Sequence, residues 1–187
     1  MVFAHDTEAN LLAAADLVNT ARRRDGRDAL ATVADLDDYF ARWGYTGRHD
    51  RDAAEVTQVR HARGRIAQLW DVERDTAAEH VNAMLREADA VPFLVRHGRV
   101  DWHLHATAPG ATLASVVVVE TAMAVVDVVR SDEYARMKRC DGESCTAVLV
   151  DLSRNRSRRF CDVNGCGNRA HVAAYRARQA ATQSAFG

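Results

Sequence analysis

Over the first 130 residues, apolar positions recur every three or four residues, the period of helices that each bury one face. Leu11, Leu12, Ala15 and Val18 predict a helix over residues 8–21. A second helix is predicted over residues 33–43, with Val33, Leu36, Tyr39, Phe40 and Trp43 on one face. Thr32 is placed to cap its start and Gly44 to stop it. Asp52-Ala-Ala-Glu55 reads as a capping box opening a helix that buries Val56, Val59, Ile66, Leu69 and Trp70. Thr76-Ala-Ala-Glu79 reads as another box, and its helix buries Val81, Met84 and Leu85.

The period shortens to two after Pro92. Residues 93–105 alternate apolar and polar side chains about a His97-Gly98 turn, which predicts a β-hairpin with a polar face outward and the core beneath it. Ala111–Arg130 is the most apolar stretch and reads as a central buried helix. Glu120 and Asp127 interrupt it, so it falls short of a membrane span. Ser131-Asp132-Glu133 is expected to cap a short helix running through Lys138 into Cys140, so the C-terminal module docks on the first domain. Ala147–Val150 reads as a strand, and a last helix starts near Gly167-Asn168 with Cys166 at its head. Ala170, Val172 and Ala173 are expected to face the module's core. The fold class is therefore mainly α with a small hairpin. A helical domain (1–130) precedes a small four-cysteine module of strand, loop and helix (131–187).

Composition adds a charge division. The chain of 187 residues has a net charge of −1, with few aromatics and much alanine and valine, as closely packed helices require. Residues 146–187 hold seven arginines, no lysine and two acids, a net +5, whereas residues 1–129 carry a net −6. A basic end on an acidic body suggests an anionic partner. Arginine suits bidentate contact with phosphate or guanine. The plainer reading is an arginine-rich face that pairs with the protein's own acids. Arg22-Arg23-Arg24 reads as a solvated helix end, favoured there by the helix dipole.

All four cysteines fall in this basic end as two pairs, Cys140/Cys145 and Cys161/Cys166, each with four residues inside and 15 residues between the pairs. Gly142 and Asn164-Gly165 supply the turns that would wrap four thiolates around one tetrahedral zinc ion. Such a site has no open coordination position, so its role is structural. Disulfides and unliganded thiols are the other readings. Residues 1–20 lack a basic start followed by an apolar run, so no leader peptide is expected.

Cys166-Gly167-Asn168-Arg169, preceded by Asp151-Leu-Ser-Arg-Asn-Arg-Ser-Arg-Arg-Phe-Cys161, resembles the CGNR zinc fingers over about residues 136–180. In that family the finger follows a helical domain called ABATE, and the pair is described as a candidate stress-induced transcriptional regulator. Residues 8–130, with Leu17-Val18-Asn19-Thr20 near their start, are compatible with ABATE. His171 stands where many members have a lysine or arginine.

The resulting expectation is a cytoplasmic, non-enzymatic regulator of transcription with one structural zinc on Cys140, Cys145, Cys161 and Cys166. It would bind duplex DNA through Arg154, Arg156, Arg158, Arg159, Arg169, Arg176 and Arg178. The first domain would dimerise or sense a small-molecule signal, with no membrane partner. Two rivals remain. One is a zinc-stapled protein-interaction module. The other is an enzyme using His103 and His105 as metal ligands with Asp101 as orienter, since these three share a face of the second hairpin strand.

Overall fold

The computed structural model describes residues 3–97 and 100–184. Helix α5 (Leu113–Arg130) forms the axis of the first domain and packs against α1 (His5–Thr20), α3 (Ala53–Ala67) and α4 (Arg74–Glu87). Its four-valine run Val116–Val119 stays helical: Thr112 caps the start by accepting from the Ser115 N–H. Val117, Val125 and Val128 are fully buried against Leu11, Leu17, Leu36, Val59, Ile66 and Leu69. Burial decides here over the strand preference of β-branched residues. None of the helices is long and apolar enough to cross a membrane among the described residues.

Helix α2 (Val33–Trp43) carries the expected box. Thr32 accepts from the Asp35 N–H and Asp35 accepts from the Thr32 N–H, while Gly44 ends the helix at φ 66°. At α3 the box is half formed. Asp52 accepts from the Glu55 N–H. The buried Glu55 carboxylate turns instead to the Asp50 and Arg51 N–H groups and to His49 Nδ1, 2.7 Å away. The Thr76 box does not form. α4 begins two residues earlier, at Arg74, after Glu73, with no side-chain cap.

Strands β1 (Phe93–His97) and β2 (Val100–His105) pair antiparallel, Leu94 opposite Leu104. The expected Gly98 turn lies outside the described residues. The hairpin does not lay its apolar side on the core. Leu94 and Trp102 are more than half exposed, and Leu104 is 41% exposed. Leu94, Trp102 and Leu104 instead line a cleft of about 220 Å³ with Val119, Met123 and Ala124 of α5.

The connection to the cysteines is also not the expected helix. After one 3-10 turn (Tyr134–Arg136) the chain becomes β3 (Met137–Arg139), which pairs antiparallel with β4 (Val148–Val150). Strand alternation then divides this hairpin between two cores. Met137, Val148 and Val150 pack into the helical core, whereas Ala147 and Leu149 pack with the cysteines and Phe160. The last helix, α6 (Cys166–Ser184), leaves the module from there.

Candidate metal centre and basic surface

The β3–β4 hairpin positions the first cysteine pair. Cys140 follows β3 directly, and its N–H donates to Ala147 O at 2.9 Å, extending the ladder. The chain then reverses at Gly142, whose carbonyl accepts from the Cys145 N–H. A Cβ at Gly142 would stand 2.6 Å from Cys166 Sγ and 2.8 Å from its Cβ. Glycine is therefore required by space: the first knuckle presses directly against the second. In the second knuckle Gly165 adopts φ 58° and its N–H donates to Asp162 O. The Asp141 N–H donates to Arg159 O and ties the two knuckles together.

The four Sγ atoms all lie within 4.8 Å of one another. Cys145–Cys161 and Cys161–Cys166 are each 3.8 Å apart, which is the edge of a tetrahedron with metal–sulfur bonds of about 2.3 Å. Donors surround them. Gly142 and Cys161 N–H groups point at Cys140 Sγ (both 3.3 Å), Asn164 Nδ2 at Cys145 Sγ (3.4 Å) and Arg169 Nη2 at Cys166 Sγ (2.9 Å). Donors aimed at sulfur stabilise thiolate, and thiolate is the form that binds metal. Burial opposes ionisation of Cys145, but the bonds from Asn164 and neighbouring groups bring its thiol down to about 7. Burial pushes the Cys161 and Cys166 thiols up, so a bound cation is what would hold these two as thiolates. The arrangement fits one structural zinc ion. No further group of three or more metal-capable side chains occurs among the described residues. His103 and His105 meet each other, Nε2 to Nε2 at 3.1 Å, while His103 Nδ1 faces the Asp101 carbonyl rather than its carboxylate.

The arginine-bearing loop 151–160 is organised by Asp151, the first residue of the segment that resembles the zinc-finger family. Its fully buried carboxylate accepts from Lys138 Nζ (2.6 Å), the Arg158 N–H (3.0 Å), and both the N–H and hydroxyl of Ser153. Burial alone would raise this carboxyl, but Lys138 and Ser153 outweigh it and hold it down to about 2. Arg136 donates to the Asp151 and Ser153 carbonyls from beneath. On this platform Arg156 pairs with Glu133 (2.9 Å), Arg158 with Asp162 (2.5 Å), and Arg159 with Asp141 (2.7 Å) while lying over Phe160. Arg154 is exposed and takes no part in an ion pair among the described residues.

On α6, Arg169 is folded back onto the metal centre. Arg176 and Arg178 stand exposed, with no ion pair among the described residues. Val172 is 38% exposed and Ala173 is exposed, so past its first turn α6 is not part of the module's core as expected.

Asn19 joins the two parts. Its buried side chain donates to Val148 O (2.9 Å) and accepts from the Val148 N–H (2.8 Å), doing for β4 what a neighbouring strand would. Trp70 Nε1 adds a bond to Leu149 O, and Asn164 donates to Arg22 O and accepts from the Arg24 N–H. A polar residue on the apolar face of the first helix was the available signal.

Residues 136–179 match the CGNR zinc finger family. Residues 12–132 match ABATE, described as "Putative stress-induced transcription regulator". The chain belongs to the ABATE family. No match is found among curated proteins. In ABATE terms, the Leu17-Val18-Asn19-Thr20 segment is where the helical domain grips the zinc finger. Within the helical domain Thr20 accepts from Arg63, whose guanidinium is held bidentately by Asp28, and so fixes the end of α1. The ABATE domain also has a cleft of about 630 Å³ between α3, α4 and α5, lined by Thr57, His61, Arg65, Met84, Ser115 and Val118 among others.

Proposed function

We propose that this ABATE–CGNR protein is a transcription regulator whose zinc finger binds duplex DNA. The observation that carries the reading is α6. It is a helix of 19 residues with no carboxylate, held to the module at its first turn and exposed beyond it, with Arg176 and Arg178 free of ion pairs among the described residues. A basic helix of this kind can enter a major groove. An alanine face at Ala170, Ala173, Ala174, Ala177 and Ala181 keeps the helix slim. Arg154 would hold a flanking phosphate directly, and Arg156, Arg158 and Arg159 on the same loop would do so by exchanging their weak surface ion pairs. Arg169 serves by steadying the metal centre at the helix's head. In this reading the protein is a regulator and not an enzyme. The cleft between α3, α4 and α5 is of the size that takes a small-molecule signal, and a homodimer would supply the base pairs that one finger cannot read.

The test is a salt titration of duplex binding by the zinc-loaded protein, with metal content measured on the same sample. Affinity should fall steeply with salt, since each phosphate contact contributes close to one to the log–log slope. Arg176→Ala/Arg178→Ala should weaken binding while zinc is retained. Absence of any salt-sensitive affinity for duplexes would sink the reading.

A second reading has its own support. Three of the seven arginines are paired with the protein's own acids, and the alanine face of α6 is open. The finger would then be a zinc-stapled protein-interaction module. Binding to an acidic protein that ignores DNA competitor would favour it.

A further inference from the structure

The basic triplet Arg22-Arg23-Arg24 does not end in open solvent. It packs against the zinc finger at Thr146, Val163 and Asn164 and closes a cleft of about 130 Å³. Its lining is Arg22, Arg23, Arg24 and Arg169 with Ser144, Cys145, Thr146 and Asn164, and contains no carboxylate. Asp71, the acid that pairs with Arg22, is shared with Arg139. Arg22 is further fixed by donating to Thr146 O at 3.0 Å. Arg23 holds the Val163 carbonyl only at the 3.5 Å limit, and its buried Nε–H has no acceptor among the described residues. Arg24 is exposed and enters no ion pair among the described residues; its position is set through its backbone, whose N–H donates to Asn164 Oδ1 at 2.9 Å.

Four guanidiniums around one small opening repel each other, and among the ion pairs of the described residues Asp71 offsets part of that charge through Arg22. The thiolate–zinc centre, carrying a formal −2, offsets more, chiefly through Arg169 at 2.9 Å from Cys166 Sγ. Arg23 and Arg24 are left over, and Ser144 and Thr146 line the same cleft. The volume suits one tetrahedral anion, being well below the roughly 300 Å³ at which ligand pockets for drug-sized molecules begin. Guanidinium forks with hydroxyl neighbours are the donor set that phosphate takes.

We infer that this cleft is a phosphate-binding site built jointly by the end of α1 and the finger's two knuckles. The site takes the phosphate of a DNA backbone, or that of a phosphorylated small molecule. The DNA form rests on the function proposed above; the site itself does not. Because Asn164 bridges Arg22 and Arg24 to the knuckle, occupancy of the cleft draws on the ABATE helix and the finger at once.

The experiment uses the full zinc-loaded chain, Arg24→Ala, and a control, Arg27→Ala, exposed on the same segment but outside the cleft. Zinc content is checked in each. Amide chemical shifts are followed while inorganic phosphate is added, and duplex affinity is measured across salt concentrations. The expected result is saturable shifts at residues 22–24, 144–146 and 164 that are strongly reduced in Arg24→Ala and kept in Arg27→Ala. If the anion is the DNA backbone, Arg24→Ala also lowers the salt slope by about one. Phosphate shifts with an unchanged slope assign the site to a phosphorylated small molecule. Phosphate shifts in a protein that binds no duplex leave this site standing and remove the DNA reading. No saturable shift at these residues, with an unchanged slope, overturns the inference.

Discussion

Gly142 shows how one residue can decide the metal centre. Its knuckle touches Cys166 with no room for a Cβ, so Gly142→Ala must push the two cysteine pairs apart. The expected outcome is loss of most bound zinc at a chelator concentration that the unaltered protein withstands, read by metal analysis. Retention of full zinc would show that the knuckles are looser than this contact implies. Glu120 is a different case, a half-buried carboxyl on α5 that burial, and then the charge of Asp6, push up to about 7. Its folded value lies above the unfolded one. The group therefore costs no stability below about pH 4 and becomes a growing liability as pH rises through 7. Glu120→Gln should raise the melting temperature at pH 8, by up to about 3 kcal/mol of stability, and leave it unchanged at pH 4. Equal gains at both pH values would mean that packing rather than ionisation is responsible.

At the scale of elements, the helices follow from local rules and the joints do not. Periodicity and caps place α2 to the residue because its start and stop signals are satisfied by neighbours three residues away. β3 escapes such reasoning. It is three residues long, and its partner β4 begins nine residues after it ends. Nothing within residues 134–138 themselves distinguishes it from a helical turn. The same holds for Asn19 and Asp151: a buried polar group is stable only with its partners, and those partners are distant in the chain. Asn19→Ala would leave the Val148 N–H and C=O buried and unpaired. Losing both bonds should cost on the order of 2–4 kcal/mol, measured by denaturant unfolding. Asn19→Leu should not rescue it, since the strand needs a donor and an acceptor. A cost below about 0.5 kcal/mol would mean that β4 is held by packing alone.

At the scale of the molecule, the finger is neither a free module nor a mere extension of the helical core. β4 gives Val148 and Val150 to one core and Leu149 to the other. The cysteine core is too small to fold without its ion, which contributes roughly 10–16 kcal/mol in isolated fingers. Chelation should therefore strip hydrogen-exchange protection from the two knuckles and the first turns of α6. Residues 113–130 and the β3–β4 pair, buried with the helices, should keep theirs. Simultaneous loss of protection in α5 would show that the two cores unfold as one unit.

Cysteine spacing, apolar period and the arginine-rich stretch by themselves determined six helices, a four-thiolate centre and a basic end, because each of these is written within a few residues of chain. Tertiary structure decided what the charges do. It set Arg158, Arg159 and Arg156 against nearby acids, turned Arg169 onto a thiolate, and left Arg176 and Arg178 exposed on a projecting helix. It also moved Arg22, Arg23 and Arg24 from a helix end to the wall of the zinc finger. A guanidinium's role depends on which carboxylates and carbonyls come within about 4 Å of it, and that is fixed only when the chain closes.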